Sequence, residues 1–244
     1  MKTLIIIPSR LSATRLPGKP LLKINGLSII SHVFKKAEKA NIGEVIVATE
    51  DKEIVDDVEK NGGQAILTQN QHETGTDRIY EVLQKFNYSK IDLVMNLQGD
   101  EPLMDIDDIR NLNSQMIKNN SQLGTLASKI SDKGIYENEN VVKVKTKKNL
   151  DKTNFPEALN FLRKISYNEN NIYHHLGVYC FQKEILKDFV SYKRSSNEIE
   201  NKLEQLRALD NNIKINVALA KVSPIGVDTE EDFVAIKKIM EYKT

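Results

Sequence analysis

Residues 4–8 read Leu4-Ile5-Ile6-Ile7-Pro8. A four-residue apolar run rich in β-branched side chains is too short for a helix. It ends at a proline, which has no N–H to extend a ladder, so it reads as a short buried strand of the parallel type. Working outward, Pro8 to Gly26 is a long loop, and Ser28 to Ala40 carries Ile29, Ile30, Val33, Phe34 and Ala37 at helical spacing. A second strand is expected at Glu44–Thr49, and a helix over Lys52 to Lys60 with Asp51 as N-cap and Gly62-Gly63 closing it. A short strand follows at Ala65–Leu67, a helix at Thr76 to Phe86, a long strand at Ile91–Leu97 and a helix at Asp105 to Lys118. Strands alternating with helices of this length mean βαβ units and an α/β fold with a mostly parallel sheet.

The pattern then changes. Leu123–Ile130, Val141–Lys145 and His175–Phe181 are strand-like with little helix between them, which suggests an inserted antiparallel subregion, a flap or a dimer surface. Asn197–Leu209 reads as a helix, Ile213–Ala220 as a strand and Glu230–Glu241 as a closing helix. The Asn/Lys-rich stretches Lys147–Asn154 and Tyr167–Asn171 read as surface loops. With no repeat and no linker, the expectation is one domain over 1–244 with an inserted subregion.

Composition bounds the function. The chain has 244 residues, 40% hydrophobic and 28% charged, which is ordinary globular usage. Lys+Arg 35 against Asp+Glu 34 leaves a charge of +1, so there is no global field for nucleic acid or anionic membrane. Aromatics are sparse and not interleaved with basic runs, which argues further against nucleic acid. The single cysteine, Cys180, permits no intrachain disulfide. No apolar run approaches ~20 residues. The run Leu4–Ile7 is also shorter than the ~7–15 residues of a signal-peptide core. A cytoplasmic protein without stable membrane insertion is expected.

Four loops carry candidate chemistry. The first, Pro8 to Pro20, leaves strand one at the sheet edge where α/β folds bind ligands. It holds Arg10, Arg15 and Lys19 with no acid among them, a set suited to a polyphosphate, and Pro17-Gly18 tightens it just before Lys19. It is neither a Walker A nor a GxGxxG motif. In the second, Asn96-Leu97-Gln98-Gly99-Asp100-Glu101-Pro102, Asp100 follows a strand, a position that suits Mg²⁺ or a plain turn. The third is Gly226-Val227-Asp228-Thr229-Glu230-Glu231-Asp232; Asp or Thr there reads as an N-cap, and Asp228 gains interest as a partner for Asp100. The fourth, His72-Glu73-Thr74-Gly75-Thr76-Asp77-Arg78, is either a capped helix start or an approach to phosphate or nucleoside. His174-His175 has no second cluster at metal spacing, so zinc is not indicated. Cys180 reads as core, and no GxSxG elbow is present.

The motifs IIPSRLSATRLPGKPL (residues 6–21), HETGTDR, NLQGDEP, HHLGVY, LEQLR and GVDTEED occur in this order along nearly the whole chain. Together they resemble the 3-deoxy-D-manno-octulosonate (Kdo) cytidylyltransferase family. The resemblance implies a Rossmann-like fold of the nucleotide-diphospho-sugar transferase type, a homodimer, Mg²⁺ as cofactor, and the reaction CTP + Kdo → CMP-Kdo + diphosphate. In Gram-negative bacteria the family serves lipopolysaccharide synthesis. Carried over residue by residue, it makes Lys19, Arg10 and Asp100 catalytic and Asp100 and Asp228 the metal ligands. Arg15 joins the triphosphate loop, Gln98 lies beside the cytosine and Arg78 near the nucleotide, while Arg163, His175, Glu204 and Gln205 fall in or near the sugar pocket. The segment Phe161-Leu162-Arg163-Lys164-Ile165-Ser166 departs from the family's FSR followed by Pro-Ile-Pro. That departure keeps open a modified or different acid sugar, such as 8-amino-Kdo or a sialic-type sugar. A non-enzymatic sugar-nucleotide sensor on the same fold would be expected to lack Lys19 or Asp100.

Overall fold

The computed structural model describes residues 1–12, 15–69, 72–85, 90–165, 169–221 and 223–242. Ala13 and Thr14 of the first loop, Phe86 at the expected helix end, and Ser166, Tyr167 and Asn168 lie outside the described residues. The elements in chain order are β1 (Thr3–Ser9), a 3-10 turn (Lys19–Leu21), β2 (Lys23–Ile24), β3 (Leu27–Ser28), α1 (Ile29–Ala40), β4 (Gly43–Thr49), α2 (Lys52–Lys60), β5 (Ala65–Leu67) and α3 (Gly75–Lys85). They continue with β6 (Leu93–Asn96), α4 (Ile106–Asn119), β7 (Leu123–Ser128), a 3-10 turn (Lys133–Tyr136), β8 (Lys143–Thr146), β9 (Ala158–Leu162) and β10 (Ile172–Gln182). Last come α5 (Lys183–Ser191), α6 (Ser196–Asn201), α7 (Leu206–Asp210), β11 (Ile215–Leu219) and α8 (Glu230–Glu241).

Two compact units divide the chain: Lys2–Ile109 with Pro224–Thr244, and Met1 with Arg110–Ser223. In the first, β1 pairs in parallel with both β4 and β6, and β4 with β5. The expected parallel α/β sheet is therefore present. Leu4 to Ile7 are 0% exposed, as a central parallel strand requires. β1 runs on through Pro8 and Ser9, past the expected stop. Its pairing with β6 ends at Ile6, so the missing N–H of Pro8 interrupts no ladder on that side.

A separate apolar cluster in this unit secures the functional loops. Ile24, Ile29, Val227 and Ile236 are buried together, with Leu16, Leu22 and Phe233 packed against them. Each fully buried aliphatic side chain contributes roughly 1.5–3 kcal/mol. Leu16 and Leu22 bracket Lys19, and Val227 precedes Asp228, so this packing fixes the backbone beside both residues. Thr229 caps α8 with a reciprocal Asp232 capping box, and the Asp232 carboxylate also accepts the N–H of Asp228 at 3.2 Å. Thr229→Ala is expected to cost about 1 kcal/mol, read as a lower urea midpoint with unchanged m. An unchanged midpoint would mean that the cap contributes nothing.

The second unit carries the antiparallel pairings expected after the fourth helix, with one parallel pair beside them. β7 pairs antiparallel with β10 and parallel with β11, while β8 pairs antiparallel with β10 and β9. The helix expected over Asn197–Leu209 is two helices, α6 and α7, because Lys202 takes a left-handed conformation at φ 53 and closes α6. Inside the unit, Arg207 and Glu198, 3% and 1% exposed, form a two-pronged ion pair at 2.7 and 2.8 Å. That pair ties α7 back to α6 across the break.

Candidate active site

The first unit contains a cleft of about 340 Å³ beyond the carboxyl ends of β1 and β6. It is lined by Arg10, Arg15, Lys19, Arg78, Gln98, Asp100 and Asp228. Seven of the residues singled out from four separate stretches of chain thus share one site.

Local geometry explains the convergence. After β1 the loop closes on itself: Gly18 N–H donates to Leu11 O at 3.0 Å, and Leu11 N–H donates to the Asp51 carboxylate at 2.7 Å. Asp51 is the N-cap of α2, as the sequence reading expects, but its side chain makes no capping hydrogen bond; its carboxylate holds the basic loop instead. Gly18 has φ 71, a left-handed conformation that glycine adopts without penalty, and it turns the chain into the Lys19–Leu21 turn. On the facing loop, a Cβ on Gly99 would lie 3.1 Å from Pro8 O and 3.1 Å from Ile30 Cδ1. The absent side chain therefore lets the Gln98–Asp100 turn approach the end of β1.

The cleft centres on Lys19. Its Nζ donates to Asp100 Oδ2 at 2.6 Å, to Val227 O at 2.8 Å and to Asp228 Oδ1 at 3.2 Å. Burial alone would push the lysine pKa down. The charges and hydrogen bonds of Asp100 and Asp228 outweigh burial and hold it above its ordinary value, so the amine is an ammonium. Arg15 reaches Asp228 at 3.6 Å, with both side chains largely exposed. Such a contact in water contributes little on its own. Burial, with the Asp100 and Asp228 charges adding to it, pushes the Glu101 carboxyl up to about 8. Its Oε2 has no hydrogen-bond partner among the described residues. The Asp100 and Asp228 carboxylates and the Val227 carbonyl around the Lys19 ammonium are hard oxygen donors of the kind a divalent cation takes.

The wall at α3 is the His72–Arg78 stretch that the sequence singled out, together with a role for His72 that it did not assign. Thr74 and Asp77 cap α3 reciprocally, and Thr74 and Gly75 line the cleft, so the helix amino end faces it. Arg78 lines the cleft but is only 4% exposed, and its guanidinium binds Glu50, Thr68 Oγ1 and Gln69 O. His72 also lines the cleft, with Nε2 on Glu81, which in turn accepts the Gln69 N–H. The signal for His72 was present in HETGTDR. The long-range partner Glu81 was not visible, because nothing local marks an α3 glutamate as facing inward.

Arg163, His175, Glu204 and Gln205 belong to the second unit and do not line this cleft. Arg163 donates to Asn201 O at 2.8 Å, Glu139 O at 2.9 Å and Lys202 O at 3.1 Å, and its own carbonyl accepts from the fully buried Lys143. His175 is 7% exposed, with Nε2 3.0 Å from Thr125 Oγ1, and burial pushes its pKa down to about 3, so the ring is neutral. Glu204 lies 3.8 Å from Arg207, and Gln205 is buried at the start of α7.

The profile of the cytidylyltransferase family matches residues 4–215. Curated relatives named 3-deoxy-manno-octulosonate cytidylyltransferase include one from Thermodesulfovibrio yellowstonii, 40% identical over 98% of this chain and 98% of its own. Another, from Brucella canis, is 42% identical over 95% of this chain and 93% of its own. Among solved structures, a CMP:2-keto-3-deoxy-manno-octonic acid synthetase complexed with CTP is 33% identical, with TM-score 0.91 and full coverage of both chains. A UDP-glucose pyrophosphorylase, 13% identical with TM-score 0.73 over the whole of both chains, shares the fold.

Proposed function

The chain belongs to the cytidylyltransferase family, among the 3-deoxy-manno-octulosonate cytidylyltransferases, and from that premise we propose how its cleft transfers CMP from CTP to Kdo. The observation that carries the reading is the Lys19–Asp100–Asp228 cluster beside Arg10 and Arg15 in one cleft. The anomeric hydroxyl of the sugar acid attacks the α-phosphorus and gives up its proton to solvent. The new O–P bond forms as the bond to the diphosphate oxygen breaks, and no covalent enzyme intermediate is needed. The protein's work is in-line positioning and neutralisation of spreading negative charge.

Arg10 and Arg15 hold the β- and γ-phosphates and the departing diphosphate through planar, multi-donor guanidinium groups. Lys19 follows charge from an α-phosphate oxygen to the bridging oxygen. The amino end of α3 adds peptide N–H groups to the same anion. Arg78, tied to Glu50 and Gln69, stiffens the nucleotide wall. Asp100 and Asp228 would hold Mg²⁺, which supplies charge neutralisation and lowers the pKa of the attacking hydroxyl. In the second unit, Arg163, His175, Glu204 and Gln205 are assigned to the sugar acid. We further assign the whole of 1–244 to one catalytic domain that acts as a homodimer in the cytoplasm; a monomer mass by light scattering would refute the dimer.

A diphosphate-release assay with CTP, UTP, ATP and dTTP, each against Kdo, 8-amino-Kdo and N-acetylneuraminate, tests the reading. The highest kcat/KM is expected for CTP with Kdo. Preference for 8-amino-Kdo or N-acetylneuraminate would move the assignment to that sugar, and no release with any pair would overturn it.

Base selection rests on Gln98. Cytosine presents an amino donor at N4 and acceptors at N3 and O2, and a carboxamide offers both complements. Gln98→Ala is expected to lower the CTP:UTP ratio of kcat/KM. An unchanged ratio would assign base reading to backbone groups.

A further inference from the structure

Each proton of the Lys19 ammonium has an acceptor: Asp100 Oδ2, Val227 O and Asp228 Oδ1, at 2.6, 2.8 and 3.2 Å. The side chain is 14% exposed. Two anionic oxygens and a carbonyl form the kind of donor set that a hard divalent cation takes. The backbone here is fixed, because Lys19 N–H donates to Leu16 O and Leu22 N–H donates to Lys19 O, both at 3.2 Å. Only the flexible four-carbon stem is left to move. A lysine ammonium and a divalent cation cannot both take the same three oxygens at contact distance, because their like charges repel.

We propose that Lys19 is the resident cation of this cradle, that it competes with a divalent cation for the same oxygens, and that the displaced ammonium turns to the phosphates of a nucleotide bound in the cleft. The last step rests on the CMP-transfer reading; the competition does not. Without nucleotide, the lysine weakens divalent-cation binding. With nucleotide, phosphate oxygens take the ammonium and the cradle opens, so cation and nucleotide bind with positive, reciprocal coupling. The arrangement also neutralises the two carboxylates, which would otherwise repel each other.

The test is Mn²⁺ binding to the full chain, read by electron paramagnetic resonance with no nucleotide present. Lys19→Met is expected to bind Mn²⁺ about 10-fold more tightly than the unsubstituted protein, within the roughly 5- to 150-fold span of ordinary coupling between ligands. Adding Asp228→Asn to Lys19→Met should abolish the gain, which locates it in the cradle. CTP should tighten Mn²⁺ binding to the unsubstituted protein more than to Lys19→Met. Circular dichroism verifies folding, and Lys19→Gln carries the same prediction if the methionine variant does not fold. Equal or weaker Mn²⁺ binding in the variants, or no Mn²⁺ binding by any form, overturns the proposal. Failure of the CMP-transfer reading appears separately, as absent diphosphate release with the Mn²⁺ gain intact.

Discussion

Lys19→Ala is expected to lower kcat for CMP transfer by about 100-fold or more, the size typical of a lost preorganised electrostatic stabiliser. That is about 2.7 kcal/mol of barrier. The expectation begins with RLPGKP: Gly18 at φ 71 turns the chain, and the ammonium is delivered into the cleft beyond β1. An interaction that strengthens as charge moves to the leaving diphosphate is read in kcat, not only in KM. Nucleotide binding measured by calorimetry should weaken much less than turnover. Lys19→Arg should recover only part of the loss, since a planar guanidinium cannot act as a compact point charge. Metal titration separates two roles. A lysine that merely neutralised Asp100 and Asp228 would be replaced by a divalent cation, and the alanine enzyme would recover at saturating Mg²⁺. A lysine that acts on phosphate leaves kcat low at any metal concentration. A variant with near-normal kcat at all Mg²⁺ levels would remove the catalytic role from Lys19.

The nucleotide side was the legible side, for a physical reason. Parallel α/β units advertise themselves through short apolar runs, and ligands gather where those runs end, so Arg10, Lys19 and Asp100 could be placed at one edge from the sequence alone. Their mutual contact could not be placed, since Lys19 and Asp228 are 209 positions apart and meet only through the packing of Leu16, Leu22 and Val227. Asp51 was legible by position only. It is the N-cap of α2 as read, yet its carboxylate serves a loop 40 residues earlier because the N–H of Leu11 lies within reach. Capping rules weigh only neighbours in sequence, and tertiary donors compete for the same oxygens.

In the inserted subregion, periodicity was a weaker guide. Asn197–Leu209 carries continuous helical spacing, but Lys202 turns left-handed and the buried Arg207–Glu198 pair holds the two pieces. Neither feature has a sequence signature, because a charged residue on a helical stretch normally reads as a solvated face. Arg163 was placed in the sugar pocket by resemblance alone. Its three carbonyl acceptors explain how β9 is tied to the end of α6, a demand no local pattern announces.

Asp100→Asn is expected to reduce turnover by about 10²–10³-fold, by analogy with the loss of a single charge-stabilising group, and Asp228→Asn by less. The ranking follows from geometry. Asp100 holds Lys19 at 2.6 Å and is 31% exposed at its side chain, whereas Asp228 holds it at 3.2 Å, is 51% exposed and shares its charge with Arg15 at 3.6 Å. The shorter, drier contact is less screened by water and salt. Asparagine keeps the shape and one acceptor oxygen, so both variants should fold, with near-native circular dichroism. Each removes a negative charge from the cradle, so each should raise the Mg²⁺ concentration needed for half-maximal rate, Asp100→Asn by more. Because both carboxylates serve one cation, their effects should not add: the double variant should be only slightly slower than Asp100→Asn. Full additivity would mean separate tasks for the two residues. Full activity after exhaustive EDTA treatment would remove the metal from the reaction and leave the aspartates as holders of Lys19 alone.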